Sequence, residues 1–145
     1  MDKGEFVKKM AQMLEDVKNG ILATAGTDGF PSMRWMTPTL IRGQEGSLFA
    51  VTASSFPKIQ AFEAQNKVSW LFTSNRTGEI LSLRGHIKPV DDPRFKSEIL
   101  EELSRSLENF WKLNEDPSNL VCLQTHLISG EYFNPKAGTK VQVTF

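Results

Sequence analysis

The sequence predicts a mainly β protein with flanking helices: six or seven antiparallel strands forming a closed or nearly closed barrel. Three observations carry that expectation. Extended apolar runs are separated by short turns rich in Gly, Asp and Asn, as at Thr27-Asp28-Gly29 and Asn75–Gly78. Only three stretches read as helices, so hairpins join most of the strands. Closing such a sheet then removes its sticky edges. With 145 residues, 39% of them apolar, the chain can bury one core without staples. It shows no repeat or linker, so residues 1–145 are read as a single domain.

In chain order, Phe6, Val7, Met10, Leu14 and Val17 recur at helical spacing, and Asn19-Gly20 is expected to close that helix. The runs I-L-A-T-A-G and P-S-M-R-W-M-T-P-T-L-I flank the Asp28-Gly29 turn. A second hairpin is expected through Arg42–Gly46 into S-L-F-A-V-T. A short helix follows over Ser55–Ala64, with Ser54 and Ser55 as caps and Pro57 in its first turn. The strands K-V-S-W-L-F-T-S and E-I-L-S-L-R-G-H-I-K-P-V come next. In the second, Leu81, Leu83 and Ile87 alternate with Ser82, Arg84, His86 and Lys88, which predicts one wet face. Asp91-Asp92-Pro93 opens a long helix with Phe95, Ile99, Leu103, Leu107 and Phe110 on one stripe. After a polar break at Asn114–Asn119, a long strand is expected to bulge at Gly130, and V-Q-V-T-F ends the barrel.

Composition excludes more than it assigns. Basic and acidic residues balance at 17 each, which removes the driving force for a general nucleic-acid binder. His86, His126 and Cys122 cannot supply a zinc set of ordinary spacing. Cys122 reads as a small core side chain in L-V-C-L, and the two histidines as solvated strand positions. Neither standard phosphate loop nor a G-x-S-x-G elbow is present, and no catalytic acid or base stands out. No membrane span or signal segment is evident, so a cytoplasmic protein is expected.

One local feature does point to chemistry. Lys58 falls beside the positive end of the predicted helix, where a cation is unfavourable by about 0.3–1 kcal/mol unless an anion joins it. Free N–H groups after Ser54 and Ser55 would complete a compact anion site. Alternatively, Lys58 points into water. Arg34, if its strand lies beside the V-T run, could join Lys58 on one phosphate, with Thr37 or Thr52 adding a hydroxyl.

These segments, taken in order, resemble the FMN-binding split barrels related to pyridoxamine 5′-phosphate oxidase. The motifs are I-L-A-T-A-G-T-D-G-F-P-S-M-R-W-M-T-P, L-F-A-V-T-A-S-S-F-P-K-I-Q-A-F, N-K-V-S-W-L-F, L-R-G-H-I-K-P-V-D-D and G-E-Y-F. The match looks closest to the general stress protein branch. The resemblance implies a homodimer with FMN at the subunit interface. It implies that Arg34 and Lys58 hold the phosphate and that Trp35, Met36, Thr37, Val51 and Thr52 line the flavin and ribityl chain. Trp111 would be an aromatic wall supplied across the interface. The implied activity is that of an FMN-dependent oxidoreductase with a small substrate. Thr39 and Pro57 stand where the vitamin-making oxidases carry basic residues, and their C-terminal Trp/Arg segment is absent. A true pyridoxamine-phosphate oxidase is therefore not expected. A non-catalytic carrier of flavin or another phosphorylated ligand is the alternative, and a cofactor-free interaction module a further one.

Overall fold

The computed structural model describes residues 1–26, 28–53, 66–103 and 120–145. The predicted helix at Ser55–Ala64 with Lys58, the stripe positions Leu107 and Phe110, the polar break at Asn114–Asn119, and Trp111 lie outside them. Helix α1 spans Lys3–Val17 and α2 spans Pro93–Leu103. Seven strands follow the chain as β1 (Gly20–Ala25), β2 (Pro31–Met36), β3 (Ser47–Ala53), β4 (Lys67–Thr73), β5 (Ile80–Pro89), β6 (Leu120–Asn134) and β7 (Thr139–Thr144).

All strand pairs are antiparallel, in the order β2-β1-β4-β5-β6-β3, with β7 also on β6. Fifteen residues long, β6 pairs with β5 along one edge. Its other edge is shared: residues 120–126 pair with β3 and residues 129–134 with β7. The path does not close. Among the described residues its two end strands, β2 and β3, touch without a ladder, joined only where Thr39, just beyond β2, and Phe49 of β3 exchange backbone hydrogen bonds of 2.7 and 2.9 Å. The fold is a split β-barrel.

The hairpins at Asp28-Gly29 and Asn75–Gly78 form as the turn chemistry predicts, with Gly29 and Gly78 at φ +86° and +74°. Three expectations need correction. The second hairpin reduces to the Thr39–Phe49 bridge, because β3 takes β6 as its partner instead. Helix α1 ends at Lys18, which adopts φ 65° and donates its N–H to the Leu14 carbonyl. Gly20 instead opens β1 beneath the Phe72 ring, which a Cβ would meet at 2.3 Å. The bulge in β6 is not at Gly130: the register runs from Arg84–Ser129 to Gly85–Leu127, so Ile128 is the extra residue. Gly130 is needed because the Phe6 ring of α1 presses on it, 2.6 Å from any Cβ.

Two clusters make the core. Phe6, Met10, Leu22, Trp70, Leu83 and Tyr132 belong to the larger one, which α1 joins. The Trp70 indole N–H donates to the Thr125 hydroxyl there at 3.0 Å, which satisfies both buried groups. The smaller cluster holds Phe49, Val51, Cys122, Ile99 and Leu103, where α2 covers the other face of β3. Both faces of β3 are thus buried, as its unbroken apolar run implies. Asp92 caps α2, accepting from the Arg94 N–H at 3.0 Å. Among the described residues no helix is long and apolar enough to cross a membrane.

Candidate functional site

The β2 strand alternates sharply between two environments. Its register with β1 pairs Arg34 with Leu22, which in turn pairs with Trp70 on β4 and so with Leu83 on β5. Side chains at paired positions share a face, so Arg34 ends an inward row of three buried apolar residues. Its guanidinium is half-buried and donates to the Ser32 hydroxyl at 3.4 Å. Burial pulls its pKa down from the usual arginine value. A cation partly withdrawn from water favours an anionic companion.

The opposite face of β2 points out of the barrel. Met33 and Trp35 on it are 71 and 77% exposed, and Phe30, in the turn before β2, is 75% exposed. Trp35 pairs with Ile21 and, through it, with Leu71 on β4. These three line a shallow cavity of about 340 Å³ that reaches Asn19 and Thr73.

Past β2, Met36 packs on the larger core cluster, and the Thr37 hydroxyl donates to Asn19 Oδ1 at 2.7 Å. That bond ties the end of β2 to the link between α1 and β1. On β3, Thr52 is a buried polar residue, whereas the Val51 side chain is committed to the cluster under α2. Only the Val51 backbone remains available to a ligand. The structure therefore gathers Arg34, Met36 and Thr37 on β2 and its continuation, and places Thr52 on the strand facing them across the split. Trp35 stands on the outer side of the same strand. Lys58 and Trp111 fall outside the described residues.

Ser32 and Asn19 escaped sequence reasoning. Ser32 was legible in principle, because two-residue alternation puts it on the Arg34 face. Asn19 looked like a helix terminator, and nothing local tied it to Thr37.

A polar network between α1 and the β4–β5 turn also lacked a sequence signal. Glu79 is buried, pairs with Lys9 at 2.6 Å, and accepts from the Thr77 hydroxyl at 2.8 Å and from the Tyr132 hydroxyl. Burial alone would raise its pKa, but the bonds from Lys9, Tyr132 and Thr77 outweigh that and hold it at about 2. The Lys9 ammonium also lies over the Tyr132 ring, 5.5 Å from its centroid. The network fastens α1 to β6 and shares no residue with the β2–β3 site.

Among solved structures, a protein related to general stress protein 26 from Clostridium acetobutylicum superposes with a TM-score of 0.79. It is 19% identical, over all of this chain and 97% of that one. A heme binding protein from Mycobacterium smegmatis gives 0.73 at 13% identity, over 95% of this chain and 57% of that one. A pyridoxamine 5′-phosphate oxidase-related, FMN binding protein from Nostoc punctiforme gives 0.64 at 11% identity, over 99 and 96%. At these identities the likeness is one of fold. No curated protein matches the chain. The family model described as pyridoxamine 5′-phosphate oxidase like matches residues 5–145, nearly the whole chain, and the chain belongs to that family.

Proposed function

We propose that the protein binds FMN at the β2–β3 split and works as a flavin-dependent oxidoreductase on a small substrate. The observation that carries this reading is Arg34, a half-buried guanidinium at the end of an apolar inward row, on the strand that borders the β2–β3 split. The donor set fits a phosphate ester: the Arg34 guanidinium and the Thr52 hydroxyl, while the Thr37 hydroxyl is committed to Asn19. Lys58 would add a second cation from the segment after β3. Family membership and the FMN-binding relative support the same ligand.

When bound, FMN would supply hydride- and electron-transfer chemistry. The protein's residues have narrower tasks. Arg34 anchors the phosphate and so fixes where the ring lies. The bond from Thr37 to Asn19 holds the end of β2 rigid beneath it. Met36 and the backbone of Val51 supply apolar and amide surface, and this chemistry requires no side chain to move a proton.

The protein also works as a homodimer in this reading. The exposed Met33 and Trp35 sit on β2, an end strand of the sheet, and exposed Phe30 lies in the turn before it. Such a row on a strand edge is an interaction surface in soluble proteins. A subunit docked there would cover the split and enclose the flavin ring.

The test is an absorbance and fluorescence titration of ligand-free protein with FMN, riboflavin and heme. Saturable FMN binding at one per chain, with riboflavin much weaker, is expected, and reduced nicotinamide then bleaches the bound flavin. FMN binding without bleaching by any reductant would make the protein a flavin carrier. A preference for heme over FMN would overturn the flavin assignment.

A further inference from the structure

A second cavity, of about 450 Å³, opens on the outer face of the sheet over β1, β4, β5 and β6. Its lining divides by chemistry. Ala23, Ala25 and Pro31 make one wall apolar, Ile128 does the same opposite, and Lys67, Arg84 and His86 bring basic groups to it. The register explains the gathering of charge. Lys67 pairs with His86 and Ser69 with Arg84, so the three basic side chains occupy two neighbouring rungs of one face.

Nothing in the lining offsets them. It contains no Asp or Glu, and none of the three is in an ion pair with a described residue. Glu131, which feels the charge of Arg84, lies outside this cavity. Its carboxylate accepts from Gln142 at 2.8 Å and sits 3.7 Å from Lys140. Asn66 Oδ1 lies 3.1 Å from His86 Nδ1 and orients that ring. The like charges of Lys67 and Arg84, diagonal neighbours on facing strands, are unfavourable by themselves, and an anion between them reverses the sign.

The bulge in β6 is an independent second observation. Ile128 is the residue skipped by the pairing with β5, and it is 42% exposed. A bulge re-aims a side chain, and this one delivers an isoleucine to the cavity wall rather than to the core.

We infer that this cavity binds a small organic anion, a carboxylate carried on a flat or short apolar body. The carboxylate lies on Arg84 and Lys67, and the body lies against Ala23, Ala25 and Ile128. The volume is within the range of roughly 300–1,000 Å³ typical of small-molecule sites. The inference does not rest on the flavin reading, since none of these residues belongs to the Arg34 site.

The experiment is a fluorescence titration of the full chain with naphthoate, against naphthyl methanol as a neutral control of similar shape. Saturable naphthoate binding is expected, with the alcohol about tenfold weaker or more. Arg84→Gln should lower naphthoate affinity about tenfold and leave the alcohol unchanged. Lys67→Gln, at a separate exposed position, should act in the same direction, and Arg84→Lys should recover part of the loss. Equal affinity for acid and alcohol, or an unchanged affinity in Arg84→Gln, would overturn the site. So would displacement of naphthoate by FMN, which would make the groove part of the flavin site. FMN titration of Arg84→Gln keeps the two readings apart: it should match the unmodified protein.

Discussion

The ammonium of Lys9 on α1 lies 2.6 Å from the carboxylate of Glu79, at the head of β5. The pair couples the first helix to the barrel, and it makes stability depend on acid. Because the folded value of about 2 lies below the ordinary 4.5, the carboxylate contributes fully above pH 4.5. That contribution disappears as the pH falls towards 2, with a size of roughly 3 kcal/mol at most. Denaturant unfolding measured across that window should show the fall, and Glu79→Gln should flatten it while lowering stability at neutral pH by about 1.5–3 kcal/mol.

Gly85 faces a harder obstacle than a side chain. A Cβ there would meet the His126 carbonyl oxygen at 2.3 Å, and that oxygen belongs to the adjacent strand. Gly85→Ala should therefore cost about 1–3 kcal/mol or more in thermal or chemical denaturation. Gly138→Ala provides the contrast. It stands at φ +66° with open space around it, so its cost should be only that of the left-handed conformation, about 1–2 kcal/mol.

Thr125→Val keeps the shape of a buried side chain but deletes the acceptor of the Trp70 indole N–H. The stranded donor should destabilise the protein by about 1–3 kcal/mol. The Trp70 fluorescence maximum would shift as its hydrogen bond is lost. An unchanged unfolding midpoint would mean that this bond does not hold the β4–β6 contact.

Arg34→Ala should weaken FMN by roughly 1.5–3 kcal/mol, the value of a charge-assisted hydrogen bond, and barely change riboflavin. Lys58→Ala should behave alike. Equal losses for both ligands would place Arg34 away from the phosphate.

Trp35→Glu puts a charge on the exposed face of β2. Sedimentation should show the unmodified protein at twice its chain mass and the variant shifted to monomer, with FMN affinity falling in parallel. A variant that stays dimeric would move the subunit interface off this face.

Much of this architecture was legible because turn chemistry and two-residue alternation are local. Asp28-Gly29 and Gly78 announced their hairpins, and the wet and dry faces of β5 could be read from Leu81 through Lys88. Arg34 stood out for its residue type in a strand, and its inward orientation follows once Leu22 is placed opposite. What was not legible is non-local. The choice of β6 over β2 as the partner of β3 depends on a strand about seventy residues away. The bulge appeared two residues from its expected position, because Gly130 is small for Phe6 rather than for the backbone. The Lys9–Glu79–Tyr132 network joins three distant segments whose residues, taken singly, look like ordinary surface charges and an aromatic.

The open split carries a consequence for the order of events during synthesis. Strands β2 and β3 are successive in the chain yet stand at opposite ends of the sheet path. In the finished sheet β3 is laddered to β6, the next-to-last strand made, and through it to β5. An emerging chain that stops short of Leu120 can form the β1–β2 and β4–β5 hairpins, but it leaves β3 without its ladder partner. On the proposed reading, a ligand site at the split is therefore complete only once β6 has been made and has paired with β3.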